Sequence, residues 1–325
     1  MEIVVTGAAG FLGQRLIRAL LARGELSGPD GRAQRIEKIR AFDVVAPTGL
    51  DDARVEALTG DISDAKQIEA LIGPKTVSVF HLAAIVSGQA EQEFDLGMRI
   101  NFDATRLILE RIRALQTRAR FVMTSSVAVF GGTLPATVED THVWSPRSSY
   151  GTQKALADLL LADYSRRGYV DGRSLRMPTV VVRPGKPNRA ASSFASGIIR
   201  EPVQGDEAVC PVSADTRLWV LSPVRAVENL VHGHELPEDR LADGRIINMP
   251  GLSVTVSEML AALRRVAGDT VADRVRFEPD PVTEKIVYSW PGNFAATYAQ
   301  SLGFHTDANF DDVVRAFIEH DARPH

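Results

Sequence analysis

The sequence lacks the features that mark several classes of protein. It has a single cysteine, Cys210, so no internal disulfide can form and a reducing compartment is expected. No apolar run approaches the ~20 residues that a membrane-spanning helix needs, and the first residues lack the basic leader of a signal peptide. Lys and Arg number 37 against 41 Asp and Glu, so the basic excess of a nucleic-acid-binding protein is missing. We therefore expect a cytoplasmic protein that binds neither membranes nor nucleic acid.

What the sequence does contain is the composition of a folded globular protein. Hydrophobic residues make up 45% of the chain and charged residues 24%, which argues against extended disorder. At ~150 residues per domain, 325 residues suffice for one large domain or two ordinary ones. A chain of this length can bury a large core, and it needs no disulfide or metal to fold.

The first half of the chain alternates strand-like and helix-like segments. Apolar patterning predicts strands at 3–6, 39–45, 76–82, 121–124 and 177–182, and helices at 11–23, 65–71, 94–115 and 151–166. Such alternation is typical of α/β proteins in which helices cover both faces of a parallel sheet. We therefore expect a Rossmann-type, doubly wound parallel sheet. Residues 24–35, which hold three glycines and a proline, predict an exposed insertion before the second of these strands.

The pattern changes after Pro184. Residues 185–196 are rich in Gly, Pro, Asn, Ala and Ser and predict a loop. The later predicted elements are shorter: strands at 219–221 and 246–249, and helices at 224–232, 256–266 and 310–320. We expect a dinucleotide-binding domain over 1–183 and a smaller, mostly helical substrate-binding part over 184–325, with segments near 217–250 rejoining the first domain.

A glycine-rich turn directly follows the first predicted strand. Gly7, Gly10 and Gly13 have Gly-x-x-Gly-x-x-Gly spacing, and Phe11 and Leu12 open the first predicted helix. Glycines at such a turn let the backbone approach a pyrophosphate, to which the helix N-terminus offers N–H groups and a positive dipole end. Glycines alone are weak evidence, but their place between a strand and a helix favours a dinucleotide-binding fingerprint.

Asp43 lies at the end of the second predicted strand. A carboxylate there can accept hydrogen bonds from both ribose hydroxyls of an adenosine, and it repels a 2′-phosphate. The residue therefore favours NAD over NADP. It follows Gly13 by more residues than the usual ~20 past the fingerprint, and the 24–35 insertion accounts for the difference. A solvated aspartate at a strand end is the alternative.

Tyr150 and Lys154 are four residues apart at the start of a predicted helix, so both project from one face. A tyrosine with a pKa near ~10 is a poor base at neutral pH, and a nearby ammonium lowers that pKa. The pair alone would be common by chance. Ser125 and Ser126, at the end of a predicted strand, give it weight because a hydroxyl there can hold a substrate oxygen while Tyr150 exchanges the proton.

Together these features resemble the extended short-chain dehydrogenases/reductases, the group that includes nucleotide-sugar epimerases and dehydratases. The matching segments occur in the order of that family and span roughly residues 1–190. They are Thr6-Gly7-Ala8-Ala9-Gly10-Phe11-Leu12-Gly13, Gly60-Asp61-Ile62, His81-Leu82-Ala83-Ala84, Asn101, Thr124-Ser125-Ser126-Val127-Ala128-Val129-Phe130-Gly131, Tyr150-Gly151-Thr152-Gln153-Lys154 and Arg183-Pro184.

The resemblance implies roles for residues that the local patterns do not assign. It places Asp61 and Ile62 beside the adenine, and it places Ser125 and Asn101 in the cofactor-binding set. It makes Ser126, Tyr150 and Lys154 the catalytic residues, with Lys154 also holding the nicotinamide ribose. The remaining cofactor-lining positions that it implies are Leu82, Ala83 and Ala84.

The segment after Pro184 departs from the sugar-nucleotide enzymes. Its sequence, Gly185-Lys186-Pro187-Asn188-Arg189-Ala190-Ala191-Ser192-Ser193-Phe194, is similar to that of the D-erythronate dehydrogenases, which oxidise a four-carbon sugar acid at C2 with NAD. The segment has four cations, Arg183, Lys186, Arg189 and Arg200, and no acidic residue lies between them. This charge pattern favours a small carboxylate partner, and a solvated basic loop is the alternative. Lys186, Asn188, Ser192 and Ser193 are the expected substrate contacts, together with Ser126 and Tyr150.

We therefore expect an NAD-dependent dehydrogenase of a small anionic sugar acid, D-erythronate in the first place, acting in carbohydrate catabolism. The rival enzyme is a nucleotide-sugar epimerase or dehydratase. A non-catalytic dinucleotide sensor is the rival from another class, and it would have no use for Tyr150 as a base. Family likeness and the two long helical patterns, 94–115 and 151–166, favour a homodimer.

No metal site is expected. His232 and His234 are the one spacing that superficially suggests a metal pair, but two residues on a helix that lie two apart point to different faces. We expect both histidines to be surface residues.

Overall fold

A seven-stranded sheet, all of it parallel, forms the centre of the molecule. The computed structural model describes residues 1–187, 190–241 and 245–322. Within these ranges the strands are β1 (Glu2–Thr6), β2 (Glu25–Ser27), β3 (Ala33–Arg35), β4 (Lys38–Asp43), β5 (Val55–Thr59), β6 (Thr76–His81), β7 (Arg120–Ser126), β8 (Asp171–Met177), β9 (Thr179–Val180), β10 (Ala208–Cys210), β11 (Arg217–Leu221), β12 (Ile246–Asn248), β13 (Leu252–Thr255) and β14 (Val275–Phe277). The central sheet has the order β12-β8-β7-β6-β1-β4-β5.

Helices pack on both faces of this sheet, as the alternating pattern predicts. In chain order, the helices of the described residues are α1 (Phe11–Arg23), α2 (Ala65–Leu71), α3 (Ser87–Gln92), α4 (Phe94–Gly97), α5 (Ala104–Leu115), α6 (Ser149–Arg166), α7 (Ser193–Gln204), α8 (Pro223–Glu235), α9 (Val256–Ala267), α10 (Asp269–Ala272), α11 (Pro281–Val287), α12 (Thr297–Ser301) and α13 (Phe310–His320). The order reverses between β1 and β6, and ligands of open α/β sheets bind beyond the strand ends at such a switch point.

Helix α1 shows why the local sequence folds as predicted. Its buried stripe, Leu16, Ile17 and Leu20, packs in the core on one side of the sheet. The helix ends at Gly24, whose φ of +75° is left-handed and whose N–H bonds to the Leu20 carbonyl. The insertion that follows is a short hairpin, in which β2 pairs with β3.

The strand predicted at 177–182 contains β9, Thr179–Val180, but β9 belongs to a smaller sheet and not to the central one. The strand of the central sheet is β8, Asp171–Met177, and all seven of its residues are buried. Two of them, Arg173 and Arg176, are among the largest fully buried side chains in the protein. Ion pairs to Asp171 and Asp158 neutralise them, so the strand carries no apolar signature in the sequence.

The helix predicted at 94–115 is interrupted. It consists of α4, a π-helical turn over Met98–Asp103 and α5. The turn places Asn101 in the interior, where its side chain accepts from the Ile85 N–H at 2.8 Å and donates to the Gln153 amide oxygen at 2.7 Å. Asn101 thereby ties the segment after β6 to α6.

The second half of the chain builds a separate small core. Strands β9, β11 and β13 form a three-stranded sheet, and β10 pairs with β14. Helices α7, α9 and α13 supply its buried apolar residues. Of the segments near 217–250, α8 and β12 join the central sheet, whereas β11 belongs to the small sheet. The loop predicted over 185–196 ends earlier, because α7 begins at Ser193.

No helix of the described residues is long and apolar enough to cross a membrane. Cys210 is a free thiol in the interior of the small core, where its Sγ lies 3.4 Å from the Val212 carbonyl oxygen.

Candidate active site

The glycine turn after β1 is shaped by close approaches that exclude side chains. Gly7 has a left-handed φ of +71°, and a Cβ at this position would lie 2.7 Å from the Ala83 nitrogen. A Cβ on Gly13 would lie 2.1 Å from the Gly7 carbonyl oxygen, so α1 can start this close to the turn only with glycine there. Gly10 is exposed and caps α1 without a side chain. The first turn of α1 therefore lines a cleft, described below, with no side chain at Gly10 or Gly13.

Asp43 ends β4 beside this turn. Its carboxylate accepts from the Ala9 N–H at 2.9 Å and from the Val44 N–H at 2.7 Å. These bonds fix the carboxylate at the carboxyl edge of the sheet, next to the glycine turn. The position is the one at which a ribose hydroxyl would meet it in a dinucleotide-binding fold.

Asp61 and Ile62 follow β5, the neighbour of β4. The Asp61 carboxylate accepts from the Ser63 N–H and hydroxyl at 2.8 and 2.7 Å, and these bonds lower its pKa. Ile62 is buried against Phe42 in the core. The Gly60 N–H bonds to the Asp43 carbonyl at 2.9 Å, so both residues lie close to the end of β4.

The carboxyl ends of β1, β6 and β7 open onto one cleft. Most of the predicted cofactor positions line it: Gly7, Gly10, Phe11, Leu12, Gly13, Leu82, Ala84 and Ser125. Ala83 lies between two lining residues, and its N–H is 3.4 Å from the Thr6 hydroxyl. Asp43, Asp61, Ile62 and Asn101 are not part of the lining.

Ser126 and Tyr150 face each other across this cleft. Ser126 ends β7, and its Oγ accepts from the Ala128 N–H at 3.1 Å. Tyr150 lies in the first turn of α6, which Ser148 caps by accepting from the Gly151 N–H. A hydrogen bond joins the Ser126 and Tyr150 hydroxyls. The predicted catalytic pair therefore meets where the glycine turn also opens.

The protonation of this pair differs from the sequence-based expectation. Burial raises the pKa of Tyr150 to about 12, and the Ser126 hydrogen bond opposes that rise. Lys154 is buried below, where its Nζ donates to the Thr124 carbonyl at 2.8 Å and lies 5.7 Å from the Tyr150 ring centroid. Burial also lowers the pKa of Lys154 to about 8. The Ser126 hydroxyl is thus a second side chain, besides the one predicted from the sequence, that favours the phenolate.

The predicted substrate contacts are divided by the fold. Ser192 lines the cleft, and Ser193 begins α7 beside it. Lys186 is exposed and does not belong to the lining. Asn188, and the cation at Arg189, lie outside the described residues.

Two lining residues were not singled out as substrate contacts from the sequence. The sequence marks Arg183 only as one of four cations, and it predicts no functional role for Trp290. Trp290 follows α11, about 100 residues beyond Arg183, and no local motif marks it. Only the folding of the second half onto the sheet brings it to the cleft.

The expectation that both histidines of α8 are surface residues is wrong for His234. His234 is fully buried, where its Nε2 lies 2.8 Å from the Ser78 hydroxyl and its Nδ1 lies 3.1 Å from the Glu235 carboxylate. His232 lies 2.9 Å from the Leu302 carbonyl. Among the described residues no cluster of metal-ligating side chains occurs.

The residues of the cleft fit a dinucleotide. The Ser125 Oγ is buried, lines the cleft and has no hydrogen-bond partner among the described residues. The side-chain-free surface of Gly10 meets the start of α1, which is the arrangement that receives a pyrophosphate. A buried hydroxyl without a partner is costly unless a ligand or water completes it, so Ser125 is suited to bind a polar group.

Comparisons with known proteins agree with this geometry. The model of the NAD dependent epimerase/dehydratase family matches residues 3–220. The chain is 57% identical to a D-erythronate dehydrogenase from Cupriavidus necator over 98% of each chain. It is 46% identical to a D-erythronate dehydrogenase from Haemophilus influenzae over 99% of this chain and 100% of that protein.

A solved structure also resembles this chain over nearly its whole length. The nucleoside-diphosphate-sugar epimerase from Agrobacterium tumefaciens is 42% identical and superposes with a TM-score of 0.92, covering 99% of this chain and 94% of that one. The matched family segment contains the glycine turn, Ser126, Tyr150 and Lys154. The chain is a member of the NAD dependent epimerase/dehydratase family.

Proposed function

We propose that this protein is an NAD-dependent dehydrogenase that oxidises the C2 hydroxyl of D-erythronate to give 2-oxo-erythronate. The observation that carries the proposal is the likeness to two D-erythronate dehydrogenases over essentially the whole chain, the substrate half included. The cleft supports it, because Ser126 and Tyr150 line the same cavity as the glycine turn.

The residues of the chain divide the work of such a reaction. NAD, when bound, accepts a hydride from the substrate carbon. The Tyr150 Oη takes the proton of the substrate hydroxyl, and the Ser126 Oγ holds the oxygen on which the carbonyl develops. The Ser126 hydrogen bond also stabilises the phenolate that this proton transfer requires. Lys154 is held at the Thr124 carbonyl, from which its ammonium can reach a ribose hydroxyl.

Asp43 is the basis for proposing NAD rather than NADP. Its carboxylate is held by two main-chain N–H groups at the edge of the glycine turn. A second negative charge from a 2′-phosphate would be repelled there. Asp61, Ile62 and the Leu82–Ala84 segment complete the proposed cofactor site, and Asn101 supports it by holding the segment at Ile85.

The proposal is tested by mixing the protein with NAD and D-erythronate and following absorbance near 340 nm. A panel of aldonic acids and of nucleotide sugars serves as the comparison. We expect reduction of NAD with the four-carbon acid and none of the sugar nucleotides to be converted. Epimerisation or dehydration of a nucleotide sugar, in keeping with the name of the Agrobacterium structure, would favour the rival function.

We also propose a cytoplasmic homodimer. Phe94 in α4 and Leu156 and Leu159 in α6 are exposed apolar side chains, and α4 contacts α6. A second copy that packs its own pair of helices against this face would bury them. Light scattering should then give twice the monomer mass at micromolar concentration, and Leu159→Lys should reduce it; a monomer mass for the wild type would exclude the dimer.

A further inference from the structure

Arg183 differs from the other cations of its segment in where its side chain lies. Of the described residues that line the cleft, it is the one with a charged side chain. Lys186, three residues later, is exposed outside the lining. Arg200 is buried, but its guanidinium is paired with Glu201 at 2.6 Å. The basic character that the sequence places in this segment therefore enters the cleft through Arg183.

The main chain at Arg183 is fixed from both sides by α7. The Arg183 N–H donates to the Ser196 hydroxyl at 3.0 Å, and Arg200 donates to the Arg183 carbonyl at 2.9 Å. The guanidinium lies over the ring of Phe11, with its Cζ 5.9 Å from the ring centroid. Stacking on an aromatic ring and a fixed main chain leave the side chain preorganised at the cleft wall.

The electrostatics of this position favour an anion. Burial lowers the pKa of Arg183, and the nearby charge of Arg200 lowers it further. An arginine stays protonated nonetheless, so its positive charge is held in a partly desolvated place. A carboxylate that binds there gains a charge-assisted, bidentate contact, and its negative charge offsets the repulsion between Arg183 and Arg200.

We propose that Arg183 binds the carboxylate of the substrate. The inference rests on the proposed function, since it assigns the anionic end of the sugar acid to this guanidinium. The diphosphate of a dinucleotide already has the N–H groups and dipole of α1, beginning at Gly10. A substrate carboxylate has no other charged partner among the described lining residues. Arg183 is thereby the residue that selects a small acid over a neutral polyol.

Three variants test the assignment, each with D-erythronate and with its uncharged amide as substrates. Arg183→Met keeps the apolar stem and removes the charge, and Arg183→Lys keeps the charge without the planar fork. Losing the charge should lower kcat/KM for the acid by about 10- to 100-fold, mainly through KM, and leave kcat/KM for the amide within about threefold. Arg183→Lys should fall between wild type and Arg183→Met. The matched control is Arg225→Met, which removes an arginine of α8 that is paired with Glu228. This change should leave kcat/KM unaltered for both substrates.

The affinity for NADH, measured by fluorescence titration, shows whether Arg183 binds the substrate carboxylate or the diphosphate of the cofactor. It should stay within about threefold of wild type in Arg183→Met. An equal loss of NADH affinity would assign Arg183 to the cofactor's diphosphate and overturn the inference. So would an unchanged KM for the acid, or a larger effect of Lys186→Met. If Arg183→Met does not fold, Arg183→Gln, which also removes the charge, gives the same comparison. A wild type that does not oxidise D-erythronate refutes the proposed function instead, before any variant is compared.

Discussion

The two ends of the central strands treat polar groups in opposite ways. At the amino end, Asp171 of β8 is surrounded by three arginines: Arg120 at 3.1 Å, Arg245 at 3.0 Å and Arg173. Although burial opposes it, these guanidinium groups hold the pKa of Asp171 below its usual range. At the carboxyl end, the Ser125 Oγ is buried without a partner among the described residues. The Asp171 carboxylate is thus fully paired with charged side chains, whereas the Ser125 hydroxyl can still bond to a ligand.

This difference separates stability from function along the same strands. A buried charge whose partner is removed costs several kcal/mol, so the amino end is expected to hold the fold together. A polar atom left without a partner stabilises nothing in the free protein, but it is available to a ligand. Substitutions at the carboxyl end should therefore change catalysis with little effect on folding, and those at the amino end should do the reverse.

The largest effect is expected for Tyr150→Phe at the carboxyl end. The change removes only the hydroxyl proposed to exchange the proton, so turnover should fall by about 10²- to 10⁴-fold. The free energy of unfolding should change by no more than about 1 kcal/mol, since one hydrogen bond to Ser126 is lost. Steady-state kinetics and urea denaturation measure the two. Tyr164→Phe is the matched control, because Tyr164 also lies on α6 but its hydroxyl bonds to Glu110 of α5, outside the cleft lining. Near-normal turnover in Tyr150→Phe would contradict its role as the base.

Asp171→Asn should do the opposite at the amino end. It leaves three buried arginines without their shared counter-charge, so the free energy of unfolding should fall by about 3–5 kcal/mol. The kcat of the protein that remains folded should be close to that of the wild type. Asp163→Asn provides the control, since its pairs with Arg166 and Arg167 are exposed and screened by solvent, so its loss should change the free energy of unfolding far less. If Asp171→Asn lost turnover without losing stability, the division of roles between the two strand ends would be wrong.

One buried histidine near each end makes stability depend on pH. Burial lowers the pKa of His81 to about 3 and that of His234 to about 4, from 6.5. Between pH 6.5 and 4 the unfolded chain therefore binds more protons than the folded one, and stability falls as the pH falls through this window. Each histidine contributes about 1.4 kcal/mol per pH unit. Urea denaturation at pH 6.5 and 5 measures the slope, and His234→Gln should halve it. An unchanged slope in that variant would mean that His234 is not buried as the neutral form.

The smallest effect is expected for Asp43→Asn. The amide oxygen can still accept from the Ala9 N–H, and the exposed Val44 N–H can bond to water instead, so the turn should keep its shape while the charge is lost. The preference for NAD over NADP, as the ratio of kcat/KM values, should narrow by about tenfold or more. Stability should be nearly unchanged. Equal use of both cofactors by the wild type would show that Asp43 does not meet the ribose.

Prediction from the sequence succeeded where local chemistry decides structure. The helix predicted at 11–23 is confirmed in full, because its apolar stripe and Gly24 specify both its face and its end. The helix bearing Tyr150 and Lys154 is likewise confirmed within two residues of its predicted start. A four-residue spacing on a helix needs no tertiary information to put two side chains on one face.

Prediction failed where residues from distant segments pair with buried polar side chains. The sequence of β8 does not show that Arg176 is buried, because its partners come from other segments. Its guanidinium pairs with Asp158 at 2.8 Å, and its Cζ lies 3.8 Å from the centre of the Trp144 ring. Trp290 escaped notice for the same reason, since only the packing of α11 brings it to the cleft. Neither could be recognised from its neighbours in the chain.

The sequence by itself therefore determined the α/β class, the glycine turn and the spacing of Tyr150 and Lys154, all of which depend on residues close together in the chain. Only the tertiary structure decided which cation enters the cleft and what sets the protonation of Tyr150. The first depends on how α7 holds the Arg183 main chain, and the second on burial and on the hydroxyl of Ser126. Both are properties of an environment assembled from distant segments, and electrostatic energies depend on that environment more than on the residues themselves.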